Sequence, residues 1–234
     1  ERIKTESLAH LSITQRAELL DLVDRYSDCF SDKPGFTIAS QHEIKLKPGF
    51  QPKRLHSYKV PDRLKTEVSK QIDEMLKLGI IRESNSPMAS PLVCVLKGPN
   101  GQDGVRLVCD FRFINKFTVA DEFPMGDISG ILQRIGGSRY ISKFDVKSAY
   151  WQTAVKEEDR WLTAFICDRG QFEWNRTPFG ARNAGASWCR AVKKVIEPIS
   201  EFTDSYVDDM CVFSNGWGQH LRQVELYFKE IRKS

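Results

Sequence analysis

No run of eighteen apolar residues occurs in the 234-residue sequence, so no segment reads as a membrane-spanning helix. No basic stretch followed by an apolar core opens the chain, so no secretory signal is expected. The six cysteines, at positions 29, 94, 109, 167, 189 and 211, never fall within four residues of one another. That spacing leaves no CxxC pair for zinc or redox chemistry, and free thiols in a reducing compartment are the expected state. The four histidines are equally scattered. There is no internal repeat and no low-complexity segment. The chain opens on Glu1 rather than Met and closes on Ser234 after a helical pattern, so it is expected to be a piece of a longer polyprotein.

What is present is a composition of 41% hydrophobic and 28% charged residues, enough for one sizeable core or two intimate subdomains. The formal charge is +4, and its distribution matters more than its size. Residues 41–82 carry ten Lys or Arg against five Asp or Glu, a local net of +5. Such a surplus suits a polyanionic partner; a solvated charged face accounts for it as well.

Ser12-Ile13-Thr14-Gln15 has the form of a capping box, and Leu19, Val23 and Tyr26 follow at helical spacing to about Tyr26. Residues 35–60 hold Pro48-Gly49 and Pro52 and no sustained period, so an extended lead-in is expected there. Pro61 and Gly79 bracket a second helix with Leu64, Val68, Ile72, Met75 and Leu76 on one face and Arg63, Lys70 and Lys77 on the other. Leu92–Leu96 and Val105–Phe111 read as a hairpin with a basic, glycine-rich tip. Tyr140–Val146 is an apolar strand that ends in an acid. Leu162–Cys167 and Gln171–Trp174 read as a second hairpin, and Asn183–Ile199 as a helix ended near Pro198. Ser205–Ser214 is a strand pair around an acidic turn, and Gln219–Arg232 an amphipathic helix with Leu221, Val224, Phe228 and Ile231 on one face.

The sharpest chemical signal is Tyr206-Val207-Asp208-Asp209. Adjacent carboxylates repel and are costly to desolvate, yet Val207, Met210, Val212 and Phe213 flank them with apolar strand. A divalent cation is the natural compensation, and a third carboxylate, Asp145, also ends an apolar strand. Oxygen ligands without His or Cys favour Mg²⁺ over zinc. Two carboxylate-held Mg²⁺ ions are a common apparatus for phosphoryl transfer. Taken alone, the Asp-Asp pair fits an ordinary polar turn equally well.

The pair does not stand alone. In order along the chain come EMLKLGIIRESNSPMASPLV, RLVCDFRFINKFT, FPMGDI, GGSRYISKFDVKSAYWQ, TAF, TPFGARNA and SYVDDMCVFS. By these motifs the sequence resembles reverse transcriptases, specifically those of gypsy-type LTR retrotransposons, over nearly its whole length. The resemblance implies an α+β fold: the fingers and palm of a right-hand polymerase, with an antiparallel palm sheet, helices on one face of it, and the thumb absent. It divides the chain into an N-terminal helix and lead-in at 1–54, fingers with part of the palm at 55–140, and palm at 141–234.

The resemblance also implies roles. Asp145, Asp208 and Asp209 match the catalytic metal ligands, with the Val146 carbonyl as a further ligand. Tyr150 matches the residue whose ring leaves no room for a 2′-hydroxyl. Arg106 and Lys97 match the fingers residues that grip the incoming triphosphate, a guanidinium by bidentate contact and an ammonium as a point charge. Phe179 and Gly180 match the loop beneath the nucleotide, while Asp110, Arg112 and Asn115 match template-positioning residues, Arg112 serving equally as an ion-pair partner. The sequence departs from the usual pattern at Phe113, Ile114, Ala181 and Gly185, none of them a metal ligand.

The implied activity is RNA-directed DNA synthesis with two Mg²⁺ ions, Mn²⁺ being the expected substitute. The partners would be dNTPs and an RNA or DNA template with its primer, together with the thumb, ribonuclease H and integrase parts of a polyprotein; no membrane is implied. The expected setting is a cytoplasmic virus-like particle, the nucleus being a second. Two other readings are a non-catalytic palm remnant that only binds nucleic acid, and an RNA-making palm polymerase, against which Tyr150 argues.

Overall fold

The computed structural model describes residues 3, 5–98, 104–124 and 126–234. In chain order it forms α1 (Ile13–Arg25), β1 (Thr37–His42), α2 (Lys65–Lys77), β2 (Ile81–Glu83), β3 (Ser90–Leu96) and β4 (Val105–Cys109). Next come α3 (Arg112–Phe117), α4 (Ile128–Ile135), β5 (Tyr140–Asp145), β6 (Thr153–Val155), β7 (Phe165–Cys167) and β8 (Gly170–Trp174). The chain ends through α5 (Ala184–Ile196), β9 (Thr203–Tyr206), β10 (Asp209–Ser214) and α6 (Trp217–Lys233). No helix among the described residues is long and apolar enough to cross a membrane. The tip of the first hairpin, residues 99–103, and Met125 of the FPMGDI motif lie outside the described residues.

Two compact units emerge, each gathered from separated stretches. One comprises Glu1–Gly35, Pro124–Ala149 and Cys189–Ser234, the other Phe36–Phe123 and Tyr150–Trp188. The segments 1–54, 55–140 and 141–234 divide the chain by sequence; these units divide it in space.

The first unit is built on a three-stranded antiparallel sheet in the order β5-β10-β9. Exposure alternates along β5 and β10, so Ser142, Phe144, Met210, Val212 and Ser214 share the inward face. That face meets α6, whose Val224, Tyr227 and Phe228 are buried. Phe144 stacks on Tyr227 at 4.5 Å and Tyr26 of the α1 cap stacks on Phe228 at 5.4 Å. Helix α1 starts as its sequence predicts: Gln15 N–H donates to Ser12 Oγ (3.2 Å) and Ser12 N–H to Gln15 Oε1 (3.0 Å). Helix α4 is capped by Asp127 and runs beside β9. The face of α6 is centred on His220, Val224, Tyr227 and Phe228, and Leu221 and Ile231 sit half-buried at its margins.

His220 carries a second anchor in this unit. Its Nε2 lies 2.9 Å from Ser142 Oγ on β5 and its Nδ1 lies 2.6 Å from Ser214 Oγ on β10. One buried imidazole thus ties α6 to both strands. Burial pushes its pKa down to about 4, so it is neutral there at pH 7.

The second unit holds a five-stranded sheet, β2-β8-β7-β3-β4, antiparallel except where β3 and β7 run parallel. Its core packs Ile72, Met75, Ile81, Met88, Leu92, Phe165 and Trp174 together. Helix α2 contributes Val68, Ile72 and Met75 and leaves Arg63, Lys70 and Lys77 exposed around it. It stops before Gly79, whose φ of +65° is the left-handed conformation that suits glycine after a helix. Two expectations need correction here. Leu162 and Thr163 are not strand but the end of a 3₁₀ turn, Glu157–Thr163, so β7 begins only at Phe165. Within the lead-in, Thr37–His42 is a strand, β1, pairing in parallel with β6. Its pairing is broken between Thr37 and Gln41, which leaves no regular alternation to read in the sequence.

Candidate active site

Three carboxylates meet at one end of the three-stranded sheet. The pairing places Asp209 on β10 directly opposite Asp145 on β5 and also opposite Tyr206 on β9. Val207 and Asp208 therefore form the two-residue turn of the β9–β10 hairpin. Val207 has φ +53°, a conformation in which a β-branched residue is a genuine outlier. The turn is tied to β5 by the Val146 N–H, which donates to the Asp208 carbonyl at 3.0 Å. The hairpin is thus held so that the side chains of two consecutive aspartates stay beside a third.

Electrostatics mark Asp208 as the group under most pressure. Its pKa is raised, first by burial and then by repulsion from Asp145 and Asp209. Its Oδ1 is buried without a hydrogen-bond partner among the described residues. Asp209 differs: Lys143 Nζ lies 3.0 Å from its Oδ2. Cys189 lies near enough to Asp208 for its thiol pKa to be raised by that charge, after the larger effect of burial. Among the described residues no group of three or more His, Cys, Asp or Glu side chains is placed to hold a metal ion. The donor chemistry nonetheless fits a hard divalent cation: the donors are all oxygen, and one of them is buried and unsatisfied.

The second unit carries the other expected residues. Tyr150 and Phe179 pack at 5.3 Å between ring centroids, Trp151 and Phe179 at 6.0 Å. Gly180 has φ +86°, and a Cβ there would meet Cys109, Val108 and Phe111 at ordinary contact distances of 3.7–4.0 Å. The backbone conformation, not crowding, is what asks for glycine. Asn115 braces this loop: its Nδ2 donates to the Gly180 carbonyl (2.9 Å), and its Oδ1 accepts from Arg182 N–H (2.8 Å). Arg112 grips Asp110 through Nε (2.8 Å) and Nη2 (2.5 Å), and Tyr58 Oη adds a bond at 3.3 Å. That partnership, the guanidinium above all, lowers the Asp110 pKa to about 2. Lys97 N–H closes the hairpin onto the Gly104 carbonyl at 2.9 Å. The Lys97 side chain and that of Arg106, which faces Val95 across the ladder, are exposed, and neither forms an ion pair among the described residues.

A protein-family model described as "Reverse transcriptase (RNA-dependent DNA polymerase)" matches residues 96–234. The chain belongs to the reverse transcriptase family. Its relatives place this reverse transcriptase domain with gypsy-type LTR retrotransposons. It is 38% identical over 181 residues to the retrovirus-related Pol polyprotein of transposon opus from Drosophila melanogaster, covering 76% of the chain and 18% of that polyprotein. To the Pol polyprotein of transposon gypsy, also from Drosophila melanogaster, it is 39% identical over 166 residues, covering 69% of the chain and 16% of the polyprotein. The chain therefore spans under a fifth of either relative's length. Its fold matches the foamy viral protease-reverse transcriptase solved with an RNA/DNA hybrid, with a TM-score of 0.86 at 24% identity over 97% of this chain and 30% of that one.

Within this reverse transcriptase domain, three further residues were not singled out by the sequence: Lys143 beside the aspartates of the first unit, and Tyr58 and Asn183 in the second. Lys143 precedes Asp145 by two positions, and strand alternation places both on one face of β5. Tyr58 lies in the lead-in and reaches Asp110 across fifty-two positions. Asn183 (φ +71°) donates from Nδ2 to the Val119 carbonyl at 2.8 Å and accepts from Asp121 N–H at 2.9 Å. Strand periodicity was a usable cue for Lys143; the other two are long-range partners that spacing does not reveal.

Proposed function

We propose that this chain carries out template-directed transfer of a deoxynucleotide to a primer 3′-hydroxyl, with RNA or DNA as template. Asp145, Asp208 and Asp209, with the Val146 carbonyl, would hold two divalent ions, Mg²⁺ or Mn²⁺ in its place. The observation that carries this reading is the buried, unpartnered Asp208 Oδ1 beside two further carboxylates. When bound, such ions lower the pKa of an attacking hydroxyl and offset charge developing on the α-phosphate.

The residues of the chain supply position and charge. The mutual repulsion of the three aspartates is relieved when a cation binds between them, which favours an occupied site. Arg106 and Lys97 are exposed and form no ion pair among the described residues, which suits both to the triphosphate. Tyr150 is packed on Phe179, which fixes the ring plane that would exclude a 2′-hydroxyl. Asn115 acts through the loop it braces at Gly180 and Arg182, and Asp110 through the guanidinium of Arg112. The basic stretch 41–82 supports contact with template phosphates, independent of sequence and sensitive to salt. The foamy viral enzyme whose fold this chain shares was solved with an RNA/DNA hybrid, the kind of partner proposed here. A cytoplasmic particle, and the remaining domains of a Pol polyprotein, complete the proposed setting.

The test is extension of oligo-dT on poly-rA with dTTP and Mg²⁺, comparing the chain with Asp208→Asn. Extension by the parent that disappears in the variant supports the reading. Template binding by both, with extension by neither, turns the assignment towards a palm remnant that only holds nucleic acid.

A further inference from the structure

The charge at the aspartate site is not left entirely open. Strand β5 presents Ile141, Lys143 and Asp145 on its exposed face, and the register sets Lys143 opposite Cys211 and Asp145 opposite Asp209. Lys143 and Asp209 are therefore diagonal neighbours across the two strands, a separation that a four-carbon side chain spans. The ammonium closes that diagonal, with Nζ 3.0 Å from Asp209 Oδ2. Both side chains remain open to solvent, 66% and 46% exposed, so the pair can separate without disturbing the core.

We propose that Lys143 is a tethered counter-cation for Asp209, one that a divalent ion must displace, so that this lysine sets how tightly the site binds metal. The inference rests on the reading of Asp145, Asp208 and Asp209 as metal ligands. The arrangement gives it direct support. Asp209 lacks freedom to turn both oxygens to an ion while Lys143 holds one, whereas Asp208 Oδ1 has no hydrogen-bond partner among the described residues. An ammonium on a long side chain suits the task. Its charge is compact and strongly hydrated, and its three donors rotate freely, so water replaces Asp209 readily when the carboxylate turns away. A guanidinium in the same place would grip both oxygens and release them less readily.

Lys143 on this account is a positioning residue. That role requires no contact with primer or nucleotide, and its effect is read in metal affinity rather than in turnover alone. Mn²⁺ binding to the chain without nucleic acid, followed by the loss of the free-ion electron paramagnetic resonance signal, gives that readout. The comparison is between the parent chain, Lys143→Gln, Lys143→Arg and Asp208→Asn. Lys143→Gln is expected to bind Mn²⁺ about three- to fivefold more tightly than the parent, the range an exposed ion pair supports. Lys143→Arg should bind no more tightly than the parent, and the gap for Lys143→Gln should shrink as monovalent salt screens the pair. Equal affinity in the parent and Lys143→Gln, with binding lost in Asp208→Asn, overturns the role of Lys143 and leaves the aspartate centre standing. Failure of the parent to bind Mn²⁺ any better than Asp208→Asn overturns the centre and, with it, the role of Lys143.

Discussion

Asp208 is held in a place that costs the fold something. Burial and two neighbouring carboxylates raise its pKa, so the charged form is disfavoured in the native state relative to water. Asp208→Asn removes that penalty while keeping the shape. We expect its thermal midpoint at pH 7.5 to lie at or above that of the parent, while primer extension is lost; a clearly lower midpoint would contradict the electrostatic account. Val207 adds a strain of the same kind, since a β-branched side chain at φ +53° costs about 1–2 kcal/mol. At this scale the sequence was most readable where chemistry is local. Asp208 and Asp209 are adjacent, and Asp145 ends an apolar strand, so all three stood out. Lys143 did not, because a lysine on a strand reads as surface until its diagonal partner is known. Arg112 had two readings in sequence, and the structure shows it in bidentate contact with Asp110.

The elements that carry the aspartates are fastened from behind. The Ser142–His220–Ser214 bonds join β5, α6 and β10, the two strands being those that end in Asp145 and begin with Asp209. His220→Ala would leave two inward serine hydroxyls without their partner and a cavity between helix and sheet. A loss of about 2–4 kcal/mol is expected in urea unfolding. The triple change Ser142→Ala, Ser214→Ala and His220→Leu should recover much of it, since removing every polar partner together is far less costly than orphaning some. Recovery absent in the triple variant would point to packing rather than hydrogen bonding as the source. Sequence patterning located most helices and strands because their caps and periods are local, as with Ser12–Gln15 for α1. It mistook Leu162 and Thr163 for strand because Trp161–Cys167 is a nearly continuous apolar run, and such a run has no period that separates a strand from a buried turn.

Across the whole molecule, acid sensitivity should follow the histidines. His42 is fully buried, with Nδ1 2.9 Å from Ser187 Oγ, and burial lowers its pKa to about 4; His220 is lowered to about 4 for the same reason. An unfolded imidazole titrates near pH 6.5. As pH falls from about 6.5 to 4, the unfolded chain takes up protons that the native chain refuses. Stability therefore drops through that window and does not return below it. Each histidine accounts for up to about 3 kcal/mol of this. Urea midpoints at pH 7.5, 5.5 and 4.5 should fall in that order, and the slope should flatten in a His42→Gln, His220→Gln chain. Neither the interleaving of the two units along the chain nor the strand pairings within each could be read from one sequence, since hydrophobic period reports a face and not what covers it.

That interleaving bears on how the protein is made. Among the described residues strand β5 pairs with β10 alone, and β10 begins sixty-four residues after β5 ends. A ribosome that has just released Asp145 has not yet translated the strand that will pair with it. The nascent chain must carry β5 with its backbone edge open, and with Ile141 on its surface, until the Asp208-Asp209 turn emerges. The second unit has all its residues in hand by Trp188, well before that moment. The carboxylates are therefore brought together only after every residue of the second unit has been made, so charges that repel are joined once that unit is available to fold.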